Sequence, residues 1–132
     1  MNFLYTRNSG DIMASIKKFN FLSISKFDDD VQKIEFNAKG YVDKENGTIY
    51  FKNEGIAYKF ILSNTLIVSV KDSKYEFDLN KKTLAYICTE GMSFETSVIT
   101  NRLEIKDNQI TIEYKMDFSS FTGEYTIILN WH

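Results

Sequence analysis

Proline is absent, histidine and cysteine occur once each, and the lysines and arginines are scattered without a basic run. With 15% aromatic and 43% hydrophobic residues, a chain lacking proline is not expected to be disordered over most of its length. The single cysteine, Cys88, rules out an intramolecular disulfide and offers no cysteine pair to a metal, so a reducing cytoplasm is the expected location. Sixteen basic side chains against 18 acidic ones leave a net charge of -2 and no track for phosphates, so nucleic acid is not an expected partner. No apolar stretch approaches the length of a membrane span. The opening segment is interrupted by Arg7-Asn8-Ser9-Gly10-Asp11, unlike a signal peptide, and no membrane insertion is expected.

What the chain does contain is period-two patterning. Arg102 to Met116 places Leu103 and Ile105 before Asp107-Asn108, and Ile110, Ile112, Tyr114 and Met116 after it. That is a hairpin in which Ile105 meets Ile110 and Leu103 meets Ile112, with all the apolar residues on one face. The same reading repeats along the chain, through Asp28-Asp29-Asp30, Asn46-Gly47, Asn53-Glu54, Ser63-Asn64-Thr65, Asp72-Ser73, Asn80 to Thr83 and Thr89-Glu90-Gly91. Each turn length keeps neighbouring apolar faces together if Val70 meets Tyr75, Tyr75 meets Cys88, and Tyr125 pairs with Phe118. In the first hairpin Phe27 is expected opposite Val31 and Leu22 opposite Phe36, which leaves Phe19 and Phe21 on the wrong face unless a bulge intervenes. A second bulge is expected where the inward parity changes from Val98 to Ile99.

The 132 residues are enough to bury one core without staples. A long flat meander would expose two edges and one bare apolar face, and closure removes both hazards. The fold class is therefore all-β: a single up-and-down antiparallel β-barrel of about ten strands. Residues 1–14 are expected to form a tail, disordered or a short extra element, and residues 15–132 the barrel domain.

In this register the interior contains no Asp, Glu, Lys, Arg or His, so no positioned acid or base is available there. The sequence reads as a non-enzymatic protein with no catalytic residue, cofactor or metal. The apolar set divides by barrel end. Leu62, Leu66, Leu79, Leu84, Ile105, Ile110 and Trp131 fall at one end. The other end is richer in amphipathic and adaptable side chains, and a ligand mouth is expected there, formed by Tyr58, Tyr75, Tyr86, Cys88, Met92 and Tyr125. The expected guest is a small, largely apolar molecule. The alternative is a solidly packed interaction or structural module, dimerising through an outer face that includes Ile61 and Ile67. Rim carboxylates Asp72, Glu90 and Glu124 share one end and are the place to look for a surface site. Cys88 reads as a small buried hydrophobe, His132 as a frayed end, and Asp28 to Asp30 as a solvated loop.

The segment from Tyr86 through Gly91 to Thr96, followed by the alternating Ile110, Ile112, Tyr114 and Met116, resembles the YwiB-like family of small bacterial proteins of unknown function. The resemblance covers roughly residues 30 to 131 and implies a calycin-like, lipocalin-like β-barrel. It implies no catalytic residues. Length and strand count are also similar to the intracellular fatty-acid-binding proteins. Those, however, have a helical lid after the first strand and an interior arginine clamp; here Asp28 to Asp30 leaves no room for a lid, and Arg102 is expected to point outward.

Overall fold

The computed structural model describes residues 14–132, so apart from Ala14 the expected tail lies outside the described residues. The strands are β1 (Ala14–Phe27), β2 (Asp30–Asp43), β3 (Thr48–Asn53), β4 (Ile56–Leu62) and β5 (Leu66–Val70), then β6 (Ser73–Phe77), β7 (Thr83–Thr89), β8 (Met92–Lys106), β9 (Gln109–Phe118) and β10 (Phe121–Trp131). They form a closed antiparallel up-and-down barrel of ten strands, sealed by β1 against β10. Among the described residues there is no helix long and apolar enough to cross a membrane.

Turn chemistry sets the register. Leu103 faces Ile112 and Ile105 faces Ile110 across Asp107-Asn108, as the alternation predicts. Leu62 faces Leu66 across the Ser63 to Thr65 loop, again as predicted. Glu54-Gly55 and Glu90-Gly91 have positive φ at both central residues (50° and 80°, 47° and 78°), the type I′ geometry that matches strand twist.

Several registers differ from expectation. The first turn has two residues, Asp28-Asp29, so Phe27 faces Asp30 and Phe21 faces Phe36. One residue fewer in the loop reverses every side chain of β1 relative to β2, which keeps Phe36 inward. Phe19 and Phe21 therefore enter the core without a bulge, while Leu22 moves opposite Glu35. Asn46-Gly47 does not form a two-residue turn. Asn46 donates to the Asp43 carboxylate from its backbone N (3.2 Å) and from Nδ2 (2.8 Å), which stabilises a four-residue loop with Val42 opposite Ile49. Phe51 faces Tyr58. Val68 faces Tyr75 and Tyr125 faces Tyr114, each an even shift that preserves the inward face. The β8 bulge lies between Thr100 and Arg102, and Ile99 points outward.

The largest departure is at β6–β7. Tyr75 faces Ala85, an odd shift that turns Thr83 and Ala85 inward and Leu84 and Tyr86 outward. Side-chain hydroxyls bridge this seam where backbone pairing is short. Ser73 Oγ donates to the Cys88 carbonyl (3.3 Å) and accepts from Cys88 N (3.0 Å), and Thr83 donates to the Glu76 carbonyl. Asp78 N donates to Thr100 Oγ1 at 3.2 Å. Small polar residues are tolerated inside because each finds a backbone partner.

The core contains two groups of packed rings, Phe19, Phe21, Phe36, Phe51 and Tyr58 in one and Phe77, Tyr114 and Tyr125 in the other. The buried polar side chains among the described residues are Ser73, Thr83, Thr96, Thr100 and Thr111, all uncharged. Arg102 points outward, bonding Glu113 at 3.0 Å and Glu104 at 3.1 Å. These contacts raise the Arg102 pKa further above its ordinary value and hold Glu104 below the usual carboxylate range, chiefly through the hydrogen bond between them. His132 is paired: its N–H and carbonyl exchange bonds with Lys18 (3.1 and 3.0 Å), adding a rung to the closure.

Candidate ligand cavity

Three of the six residues expected at the tyrosine mouth face inward. Tyr58 is buried against Phe51 (ring centroids 5.1 Å apart), and Tyr75 and Tyr125 are half-buried around Tyr114. Tyr125 stacks on Tyr114 at 5.0 Å, and Phe77 packs on Tyr114 at 4.7 Å, so rings occupy this end. Tyr86 is on the outer face and 45% exposed. Cys88 also follows the outward parity set by the β6–β7 register, and Met92 stands at the rim, 64% exposed. The six do not line one chamber, because the odd shift at the hydroxyl seam reverses β7.

Burial raises the pKa of each interior tyrosine, since the ionised phenolate would lose its hydration. Tyr125 is pushed up to about 12 by burial and the neighbouring Tyr75. Tyr114 rises further for the same reason, Tyr58 rises through burial and then the Glu54 charge, and burial outweighs the Ser73 hydrogen bond at Tyr75. A folded pKa above the unfolded value of about 10 means the stabilisation is complete below that pH and is lost as pH rises through the folded values. Spectroscopic titration of the phenolates should therefore show these four ionising only as the barrel unfolds at alkaline pH. Titration of these four near pH 10 with the fold intact would contradict their placement.

A cavity of about 210 Å³ opens at the opposite end. Its apolar walls include Val42, Ile49, Phe60, Leu66, Ile110 and Trp131. These are inward positions of β2, β3, β4, β5, β9 and β10 just inside the turns, and the alternation requires them to be apolar. Leu62 and Ile105, both substantially exposed, stand at the mouth, with Asp43, Lys44, Lys106 and Asp107 beside them. The rim charges cancel in sign, so the mouth selects against neither anion nor cation by net field. Backbone bonds from Leu62 N to the Gly47 carbonyl (2.7 Å) and from Trp131 N to the Asn108 carbonyl (3.1 Å) tie the β2–β3 loop to the end of β4 and the β8–β9 turn to the end of β10.

Trp131 carries the one buried side-chain polar atom without a partner among the described residues, its Nε1. An unpaired buried donor costs about 1–3 kcal/mol. The sequence places Leu62, Leu66, Ile105, Ile110 and Trp131 at this end, whereas Leu79 and Leu84 are exposed on the outside. Hollowness left no signature in the alternation, because filled and empty apolar ends share one pattern. The unpaired indole has no sequence signal either.

At the other rim an open groove contains Asp72, Cys88 and Glu90 but not Glu124. No group of three or more His, Cys, Asp or Glu that could hold a metal occurs among the described residues.

These features define a small closed β-barrel with an apolar recess at one end. The fold is that of a solved structure, the ywiB protein from Bacillus subtilis, with a TM-score of 0.61 and 16% sequence identity over 91% of this chain and 94% of that one. No protein family matches the sequence, and no curated protein does.

Proposed function

We propose that this protein is a bacterial, calycin-like, non-enzymatic binder of a small, largely apolar molecule, held in the cavity at the tryptophan end. The observation that carries the reading is a recess walled by apolar side chains from six strands, Val42, Ile49, Phe60, Leu66, Ile110 and Trp131. A volume of about 210 Å³ is below the roughly 300–1,000 Å³ of pockets for drug-sized ligands. It exceeds the roughly 150 Å³ of an apolar cavity that accepts benzene. The ligand is therefore one ring or a short chain. Non-enzymatic binding is favoured because no buried side chain among the described residues is charged, so the interior offers no ordinary general acid or base.

Trp131 is the only tryptophan, so its fluorescence reports on the recess without a label. Titration with ethylbenzene or acetophenone should change that emission saturably. Ile110→Phe, which directs extra bulk into the void, should abolish the saturation while circular dichroism remains that of the folded barrel. Absence of saturation in the unaltered protein with both probes would defeat the reading.

The second reading is a homodimer through the outer face with Ile61 and Ile67. The two are directly opposed across β4 and β5, which favours a shared patch, but both are half-buried and the apolar area they offer is small.

A further inference from the structure

The barrel is closed unevenly. β2 pairs with β1 along its whole length, Asp30–Asp43, but with β3 only from Gly40 to Asp43. Among the described residues, positions 30–39 therefore present a free strand edge, because β3 turns into β4 after Asn53. A free edge is a template for another strand, and proteins usually blunt it with charged side chains, proline, a bulge or a covering segment. This chain has no proline, and the β1–β2 register runs without a shift from Ala14 to Phe27. On this edge Ile34 is 57% exposed although it shares the inward parity of the buried Val42, because the hairpin extends past the neighbouring turn.

We infer that the free edge of β2 pairs antiparallel with the same edge of a second copy, about a two-fold axis at Ile34. A two-fold axis perpendicular to the sheet keeps both inward faces on one side, so opposed residues must share parity and the axis must pass through a residue. An axis at Lys33 stacks lysine on lysine, and one at Glu35 stacks glutamate on glutamate. Only the axis between them puts Lys33 opposite Glu35 twice. It also puts Ile34 on Ile34 and Gln32 on Phe36, so the exposed apolar side chain is covered by its own copy. Because parity is preserved, the N–H and C=O groups that one copy leaves unpaired meet those the other leaves unpaired. The product is a continuous four-stranded sheet, β1-β2 of one copy joined to β2-β1 of the next. The occupant is a second copy because the charge order of this edge is complementary to itself when read antiparallel.

Lys33 and Glu35 are exposed, with side chains 61% and 49% accessible, so charge changes there leave the monomer folded. Sedimentation equilibrium should give a concentration-dependent dimer that weakens with added salt. Lys33→Glu and Glu35→Lys should each raise the dimer dissociation constant at least about ten-fold, because each turns two attractive cross-strand pairs into repulsive ones. The double variant Lys33→Glu/Glu35→Lys should restore the original value. A protein that stays monomeric at millimolar concentration overturns the proposal. So does a dimer indifferent to both single changes, which would point to another face such as that of Ile61 and Ile67.

Discussion

Truncating Phe51 to alanine should remove about 3–5 kcal/mol of stability, the range for emptying a fully buried aromatic position. Phe51 has no solvent exposure and stands at the centre of the ring cluster. It stacks on Phe19 at 5.0 Å and on Tyr58 at 5.1 Å, and lies about 6 Å from Phe21, Phe36 and Phe60. Because β1, β2, β3 and β4 all send a ring to this point, the surroundings cannot collapse without opening the barrel wall. Against a net stability of about 5–15 kcal/mol, the loss is a large fraction of the whole. With a urea slope of about 1–3 kcal/mol per molar, the unfolding midpoint should fall by roughly 2 M. Ile16→Ala, at a position 71% exposed, should leave the midpoint unchanged within error. Equal effects at the two positions would show that the rings do not form the core described.

Gly40→Ala is expected to cost about 3 kcal/mol, the upper end for forcing a methyl into filled space. A Cβ at Gly40 would lie 2.0 Å from the Tyr50 carbonyl oxygen and 2.7 Å from the Phe51 Cβ. Gly40 and Phe51 are cross-strand partners, so the space a side chain would need is taken by backbone and by the root of the Phe51 side chain. Neither can rotate away. Combining Gly40→Ala with Phe51→Ala should bring no rescue, since alanine retains the Cβ in the way. Gly123→Ala is the informative contrast: there the nearest atoms belong to the Tyr125 phenol, 2.2 Å away at its hydroxyl. That ring can swing aside, losing part of its stacking on Tyr114, and the cost should stay near 1 kcal/mol. Chemical denaturation of the three variants checks the order. A Gly40→Ala protein as stable as the parent would mean that β2 and β3 are farther apart than their register requires.

How far the sequence was legible can be judged residue by residue. Ile105 opposite Ile110 and Leu62 opposite Leu66 could be read directly, because the turns between them have lengths and residues that admit one pairing on an apolar face. Tyr75 faces Val68 where Val70 is expected, and this even slip does no harm, since it leaves every side chain on its own face. Phe21 was misplaced because a turn of two residues and a loop of three are equally compatible with three consecutive aspartates. Tyr86 and Cys88 were misplaced because the β6–β7 seam is held by hydroxyls, for which alternation makes no provision. The free edge at Lys33 and Glu35 follows from how far β2 outruns β3, a relation between strands that no window of sequence contains.

The order of apolar and polar residues alone determined that this chain is all-β, that its strands follow one another in space, and that ionic groups stay outside. Period-two burial is a local constraint, and local constraints are written in sequence. Which end is hollow, which tyrosines face in and which edge is left open were decided by the tertiary structure. Those depend on odd or even offsets at each turn and on how rings from distant strands share one volume, and both are settled only when the sheet closes on itself.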